Sequence, residues 1–307
     1  MTMAILYIDI VLVLTISCIT GILTTNSECP QLAYEDSYKT FTVAAVQMEP
    51  YLRQGDGCYT GLIPDMLSKM SYTSGDNFEI KISPENIIGT MRSNGTFSGL
   101  IGNVTRREAD IAAGPIGITS MRMKAVDFTF PFMQSEIVIL FKRPTPLETV
   151  PFSDVGTLLS SGVSIGSVLD GTVGDYLKFM EMHEARRLYA AITSQGNWYD
   201  SFQVALRRVW KGNFALIIEK DRALYAAKEK PCNVVIVGKP LAYIDYAFAL
   251  PKRMWRKFGI DLAVHELRAK GEMKKLKEKY WESNCDCNSE CDCKNVCGSP
   301  IYSKGNA

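Results

Sequence analysis

The chain has 307 residues, of which 47% are hydrophobic, enough to bury one large core or two medium ones. A formal net charge of +1 and the lack of any basic run exclude the electrostatic footprint of a nucleic-acid binder. No Ser/His/Asp set, phosphate-binding glycine loop or metal-spaced His/Glu pair points to catalysis, and no cofactor is expected.

The first informative element is Ile10 to Leu23, an apolar run broken by Thr15, Ser17, Cys18, Thr20 and Gly21. It is shorter than the roughly 20 residues of a membrane span, so residues 1–27 are read as a signal peptide, with an uncleaved anchor as the alternative. If Cys18 leaves with it, eight of nine cysteines remain, an even set that suits an oxidising compartment. Asn94-Gly-Thr and Asn103-Val-Thr are glycosylation sequons consistent with a secreted or extracellular address.

Phe41 to Val46 reads as an apolar strand, and Pro50 ends the loop that follows, from which Glu49 and Tyr51 project. Gly61 to Leu67 opens a helix with Pro64 in its first turn, where a missing amide costs little. Phe97, Leu100, Ile101 and Val104 keep helical spacing up to Glu108. Asp110 to Gly114 is then a short buried strand that Pro115 stops, leaving backbone groups free.

Seven residues later stands Arg122, whose planar guanidinium can grip a carboxylate with two parallel hydrogen bonds. The Pro115 carbonyl could accept from an ammonium and the Gly117 amide could donate to a carboxylate. These groups suit the two charged ends of a free amino acid. An arginine after a strand turn is ordinarily solvated, so the pattern around it must carry the argument.

Further on, Glu136 to Phe141 and Val163 to Val168 read as strands, and Leu169 to Asp175 as a tight turn opening a helix through Met180. Free amides at such a helix start attract anions; helix capping by Thr172 is the plainer alternative. Trp198 to Trp210 is read as an amphipathic helix, and Gly212 to Glu219 as a strand ending on a single acid. The last long helix is placed from Lys252 to Trp281, with Phe258, Leu262, Val264 and Leu267 inward.

The motif Ala109-Asp-Ile-Ala, then Pro115, Gly117, Thr119, Arg122, Val126-Asp127-Phe128 and Pro131-Phe132-Met133, resembles the ligand-binding domain of ionotropic glutamate receptors. The resemblance spans about Lys39 to Cys285. It implies an α/β fold: a two-lobed clamshell like type II periplasmic binding proteins, with two crossings between lobes. Lobe one would take residues 39–135 and 246–284, lobe two residues 136–245, and residues 285–307 would form a Cys-rich tail.

The resemblance also assigns roles. The ligand's carboxylate would rest on Arg122 and the Gly117 amide, its ammonium on the Pro115 carbonyl and Glu219, and its side chain under the turn Gly171-Thr172-Val173. Glu49, Tyr51, Leu62 and Tyr246 would line the cleft. Gly117 replaces the family's usual threonine, Leu62 its usual aromatic, and Val173 a hydroxyl found in glutamate-selective members, a change shared with glycine-binding ones. Lys230-Pro231-Cys232 matches a family motif whose cysteine pairs just past the last helix, which makes Cys285 its expected partner. Their loop of about fifty residues would contribute about 2 to 4 kcal/mol.

The sequence departs from the channel-forming members at Arg143 to Thr145, where the two halves join without pore helices. Two readings follow: a secreted module that binds a free amino acid such as glutamate or glycine, or the ligand-binding part of a glutamate-gated channel subunit whose pore segment is missing from this chain. Dimerisation through lobe one and association with receptor subunits follow by analogy. The tail cysteines, from Cys285 to Cys297, favour disulfides over a metal cluster in an exported chain.

Overall fold

The computed structural model describes residues 39–55, 57–144, 149–169, 171–180, 182–228 and 231–282. The expected signal peptide and the Cys-rich tail lie outside them.

In chain order, β1 (Thr40–Ala45), β2 (Arg53–Gln54) and β3 (Tyr59–Thr60) lead into helix α1 (Leu62–Ser74). This helix buries Leu62, Ile63, Met66, Leu67 and Met70, a stripe at helical spacing, and ends where Gly75 takes the left-handed conformation at φ 71°. Then come β4 (Asn77–Ile82), α2 (Gly99–Thr105), β5 (Ile111–Ala113), α3 (Ser120–Ala125) and β6 (Val126–Phe128). The second half opens with β7 (Met133–Lys142), α4 (Val155–Ser160), β8 (Ser164–Val168), α5 (Thr172–Phe179) and α6 (His183–Ser194). It continues through β9 (Trp198–Tyr199), α7 (Phe202–Lys211), β10 (Phe214–Glu219), α8 (Lys220–Ala226) and β11 (Val234–Tyr246). The chain returns through β12 (Ala249–Pro251) to α9 (Lys257–Ala269), α10 (Glu272–Lys277) and a π-helical turn at Glu278–Glu282.

Two five-stranded sheets divide these elements. The first is ordered β4-β1-β5-β12-β6, with β1 parallel to β4 and β5 and β12 antiparallel to β5 and β6. The second is ordered β11-β7-β10-β8-β9, with β7 antiparallel to both β10 and β11. We call the two halves lobe one and lobe two. The chain passes from lobe one to lobe two as it enters β7 and comes back after β11, which is the two-crossing α/β clamshell the resemblance implies.

Two expectations about local structure are corrected. Trp198 and Tyr199 form an edge strand beside β8, and the helix starts only at Phe202, where the Ser201 hydroxyl accepts from the Val204 amide at 3.3 Å. The terminal helix is broken at Gly271, and its inward stripe is Ile260, Ala263, Val264 and Leu267. Phe258 and Leu262 fall outside that stripe, and are 79% and 47% exposed. Among the described residues no helix is long and apolar enough to cross a membrane.

Candidate functional site

Arg122 is placed by local chemistry. Thr119 caps α3, its hydroxyl accepting from the Arg122 amide at 3.2 Å, and the turn directs the guanidinium inward between the lobes. There the side chain is wholly buried. Nη1 donates to the Gly117 carbonyl at 3.0 Å and to Thr172 Oγ1 at 3.1 Å, while Nη2 donates to the Gly89 carbonyl at 3.1 Å.

The remaining partner is a carboxylate from the other lobe. Asp175, on α5, sits 3.0 Å from Arg122 Nη2, and both side chains are at most 4% exposed. Burial pulls the Arg122 pKa below its ordinary value, opposed first by Asp175 and then by Glu219. Thr172 and Asp175 both belong to the helix opened by the Gly171 turn, so one turn of lobe two supplies a hydroxyl and an acid to one guanidinium of lobe one.

Gly117 makes this approach possible. Its amide donates to Thr172 Oγ1 at 3.3 Å, and a Cβ at this position would lie 2.1 Å from Thr172 Cγ2 and 2.8 Å from Ile244 Cγ2. The amide expected to hold a ligand carboxylate therefore holds a side chain of lobe two. Pro115 is buried in the same loop and Val173 faces the core at 2% exposure.

Several residues expected to line the cleft are core residues. Leu62, Tyr51 and Tyr246 are all fully buried, the first because it opens the apolar stripe of α1. Tyr51 meets Tyr246 edge-on at 6.2 Å and Trp281 at 5.3 Å, an aromatic cluster beneath the hinge. Burial raises both tyrosine hydroxyls well above their usual pKa.

Glu219 ends β10 as expected and is 3% exposed, with Oε2 making no hydrogen bond among the described residues. Its nearest cation is Arg222, one helical turn on, at 3.8 Å. That distance is too long for a hydrogen bond. Glu49 crosses the interface, its Oε2 accepting from the Tyr225 hydroxyl at 2.5 Å.

The open space lies beside this locked centre. A cavity of about 640 Å³ runs between the lobes, walled by Glu49 and Leu52 on one side and Gly171, Phe202, Arg222 and Tyr225 on the other. Of the residues expected to contact a ligand, Glu49 and Gly171 reach it. Asp175, Phe202, Arg222 and Tyr225 were not picked out from the sequence. Arg222 carried a local signal, its i,i+3 spacing from Glu219, whereas nothing in the sequence marks the partner of Asp175.

Two other expectations change. Asn103 is 9% exposed; its Nδ2 donates to Glu108 Oε2 at 2.8 Å and its Oδ1 accepts from Ser83 at 2.7 Å. A glycan on that nitrogen is incompatible with this packing, whereas Asn94 is exposed in a turn. Cys58 and Cys232 are both disulfide-bonded, while Cys285, the partner expected for Cys232, lies outside the described residues.

Comparison with known proteins bears on this geometry. Residues 39–145 match the family model described as the ligated ion channel L-glutamate- and glycine-binding site. Over those residues the chain is similar to the amino-acid-binding region that this family model describes. Its curated relatives include a probable glutamate receptor of Lithobates berlandieri, 28% identical over 59% of this chain and 37% of its own. Glutamate receptor U1 of Xenopus laevis is 33% identical over 34% of this chain and 22% of its own. Human glutamate receptor ionotropic, kainate 4 is 32% identical over 34% of this chain and 12% of its own. The chain thus spans well under half the length of these relatives. The structure of the Drosophila muscle GluRIIB complex with glutamate superposes at a TM-score of 0.74, covering 80% of this chain and 99% of that one at 22% identity. That likeness is one of fold, which the two sheets and paired crossings display.

Proposed function

We propose that this domain binds a free amino acid between its lobes, outside the cell, as a module without a pore. The observation that carries the reading is the cavity of about 640 Å³, which is bounded by both lobes and lined by cations and acids together. Its size lies in the usual range for small-molecule sites. A zwitterion touching both walls would favour the closed arrangement, because only a ligand with differential affinity shifts such an equilibrium.

In the closed form Asp175 already holds Arg122. A ligand docking on that guanidinium would have to take the place of Asp175. The test is a thermal-shift and calorimetric titration with L-glutamate, glycine and other free amino acids. A ligand at 100 times its dissociation constant stabilises by about 2.7 kcal/mol. Failure of every free amino acid to shift melting or release heat would refute the reading.

A second reading is favoured by the relatives, which are glutamate receptors far longer than the matched region. On it, the domain belongs to a channel subunit and a pore segment is encoded between Arg143 and Thr145. Sequencing the transcript across that junction decides: an intervening exon for pore helices supports the channel, and uninterrupted coding supports the module.

A further inference from the structure

The guanidinium of Arg122 is wholly buried, and its terminal nitrogens donate to the Gly117 and Gly89 carbonyls and to Thr172 Oγ1. Its charge is met by the Asp175 carboxylate of lobe two, 3.0 Å from Nη2. Nε is buried too, yet it has no hydrogen-bond partner among the described residues. Part of the fork is therefore unused while Asp175 is in place. A carboxylate free to lie side-on against the fork could engage two parallel N–H groups, and a buried donor left bare costs more than a modest hydrogen bond returns.

The occupant is coupled to the opening of the clamshell. Thr172 and Asp175 are three positions apart on α5, on one face of one helix of lobe two. When α5 withdraws with its lobe, both leave Arg122 together. With the lobes closed, solvent does not reach the guanidinium. A ligand carboxylate must then bind the form in which Asp175 is off Arg122, and its apparent affinity falls with the fraction of molecules in that form.

We propose that Asp175 is a tethered competitor for the ligand carboxylate: it occupies Arg122 in the unliganded closed form, an incoming carboxylate displaces it, and the strength of the internal pair sets the affinity of the cleft. The inference rests on the amino-acid reading above and deepens it by assigning the regulation of the same arginine. It also gives a cause for closure without ligand, because the internal carboxylate supplies a cross-lobe contact of the kind a bound one would make.

The test uses the whole chain and the variant Asp175→Ala, which removes the carboxylate and leaves its space open. Calorimetric titration with L-glutamate and with glycine should show at least a tenfold gain in affinity over wild type. Unchanged or weaker affinity would overturn the competitor while leaving amino-acid binding intact. The second probe is sodium acetate against sodium chloride at matched ionic strength, with melting followed by circular dichroism. Acetate should raise the melting temperature of Asp175→Ala saturably, or restore its fold if the variant is unfolded in chloride. It should not do so for Arg122→Met with Asp175→Ala, which has no buried charge left to compensate. Rescue confined to the single variant supports the competitor even if neither amino acid binds, in which case only the amino-acid reading fails. An equal response in both variants, or none in either, overturns it.

Discussion

Gly117 shows how one absent methyl sets the geometry of the whole cleft. The space where its Cβ would stand is taken by Thr172 of the opposing lobe, and the same threonine caps the guanidinium of Arg122. Asp175 completes that set as a buried ion pair, in which most of the cost of desolvation is offset only while both members are present. Replacing Asp175 by asparagine leaves Arg122 as an uncompensated buried charge. The expected outcome is a destabilisation of roughly 3–5 kcal/mol. Urea unfolding followed by circular dichroism measures it; a loss below about 1 kcal/mol, typical of exposed pairs, would show that the pair is solvated.

At the scale of elements, the return to lobe one depends on a clamp at the end of β12. Lys252 donates to Asp127 Oδ1 at 2.8 Å and to the Met123 carbonyl at 2.7 Å, and the Arg253 amide donates to Asp127 Oδ2 at 2.8 Å. These bonds tie β12 to β6 and α3, and the Lys252 bond chiefly holds the Asp127 carboxyl below its usual pKa. A depressed folded-state pKa stabilises above the unfolded value of about 3.9, and that contribution is lost as pH falls through the folded value. Melting temperature should therefore drop more steeply below about pH 4 for wild type than for Asp127→Asn, which starts lower at neutral pH. Parallel curves for the two proteins would remove Asp127 as a source of the acid sensitivity.

Across the whole molecule, contacts at several places join the lobes, among them the Lys277–Asp221 ion pair at 3.3 Å and three sites that bear on the cleft. One is the Arg122–Asp175 pair, the second is Glu49 with Tyr225, and the third is the terminal π-helical turn. In that turn the Trp281 indole donates to the Asp221 carbonyl of lobe two at 2.9 Å, while Tyr280 donates to Asp65 of lobe one at 2.7 Å. The clamshell is thus closed by its own side chains. Gly117→Thr puts atoms where Thr172 and Ile244 now pack. Small-angle scattering should give this variant a larger radius of gyration than wild type, since the interlobe seam cannot close around the added atoms. An unchanged scattering profile would mean that α5 moves aside and that Gly117 does not set the closure.

Much of this was legible in the sequence because it depends on neighbours in the chain. Alternating and helical spacings located β1, α1, β10 and the strand before Pro115, and the run from Ala109 to Met133 carried the resemblance that implied a two-lobed α/β fold. Sequence spacing also put Arg122 and Glu219 at element ends, where side chains can meet a partner. What the sequence left undecided was which partner they meet. Thr172 and Asp175 lie 50 and 53 residues from Arg122 in the chain, and only folding brings them against the same guanidinium, filling with protein the place a free carboxylate would take. Burial settled the rest: Tyr51, Leu62 and Tyr246 pack inward with the core, and Arg222 is nearly buried at the cavity wall. Chain-local periodicity encodes elements, whereas close approach between lobes is a property of three-dimensional packing.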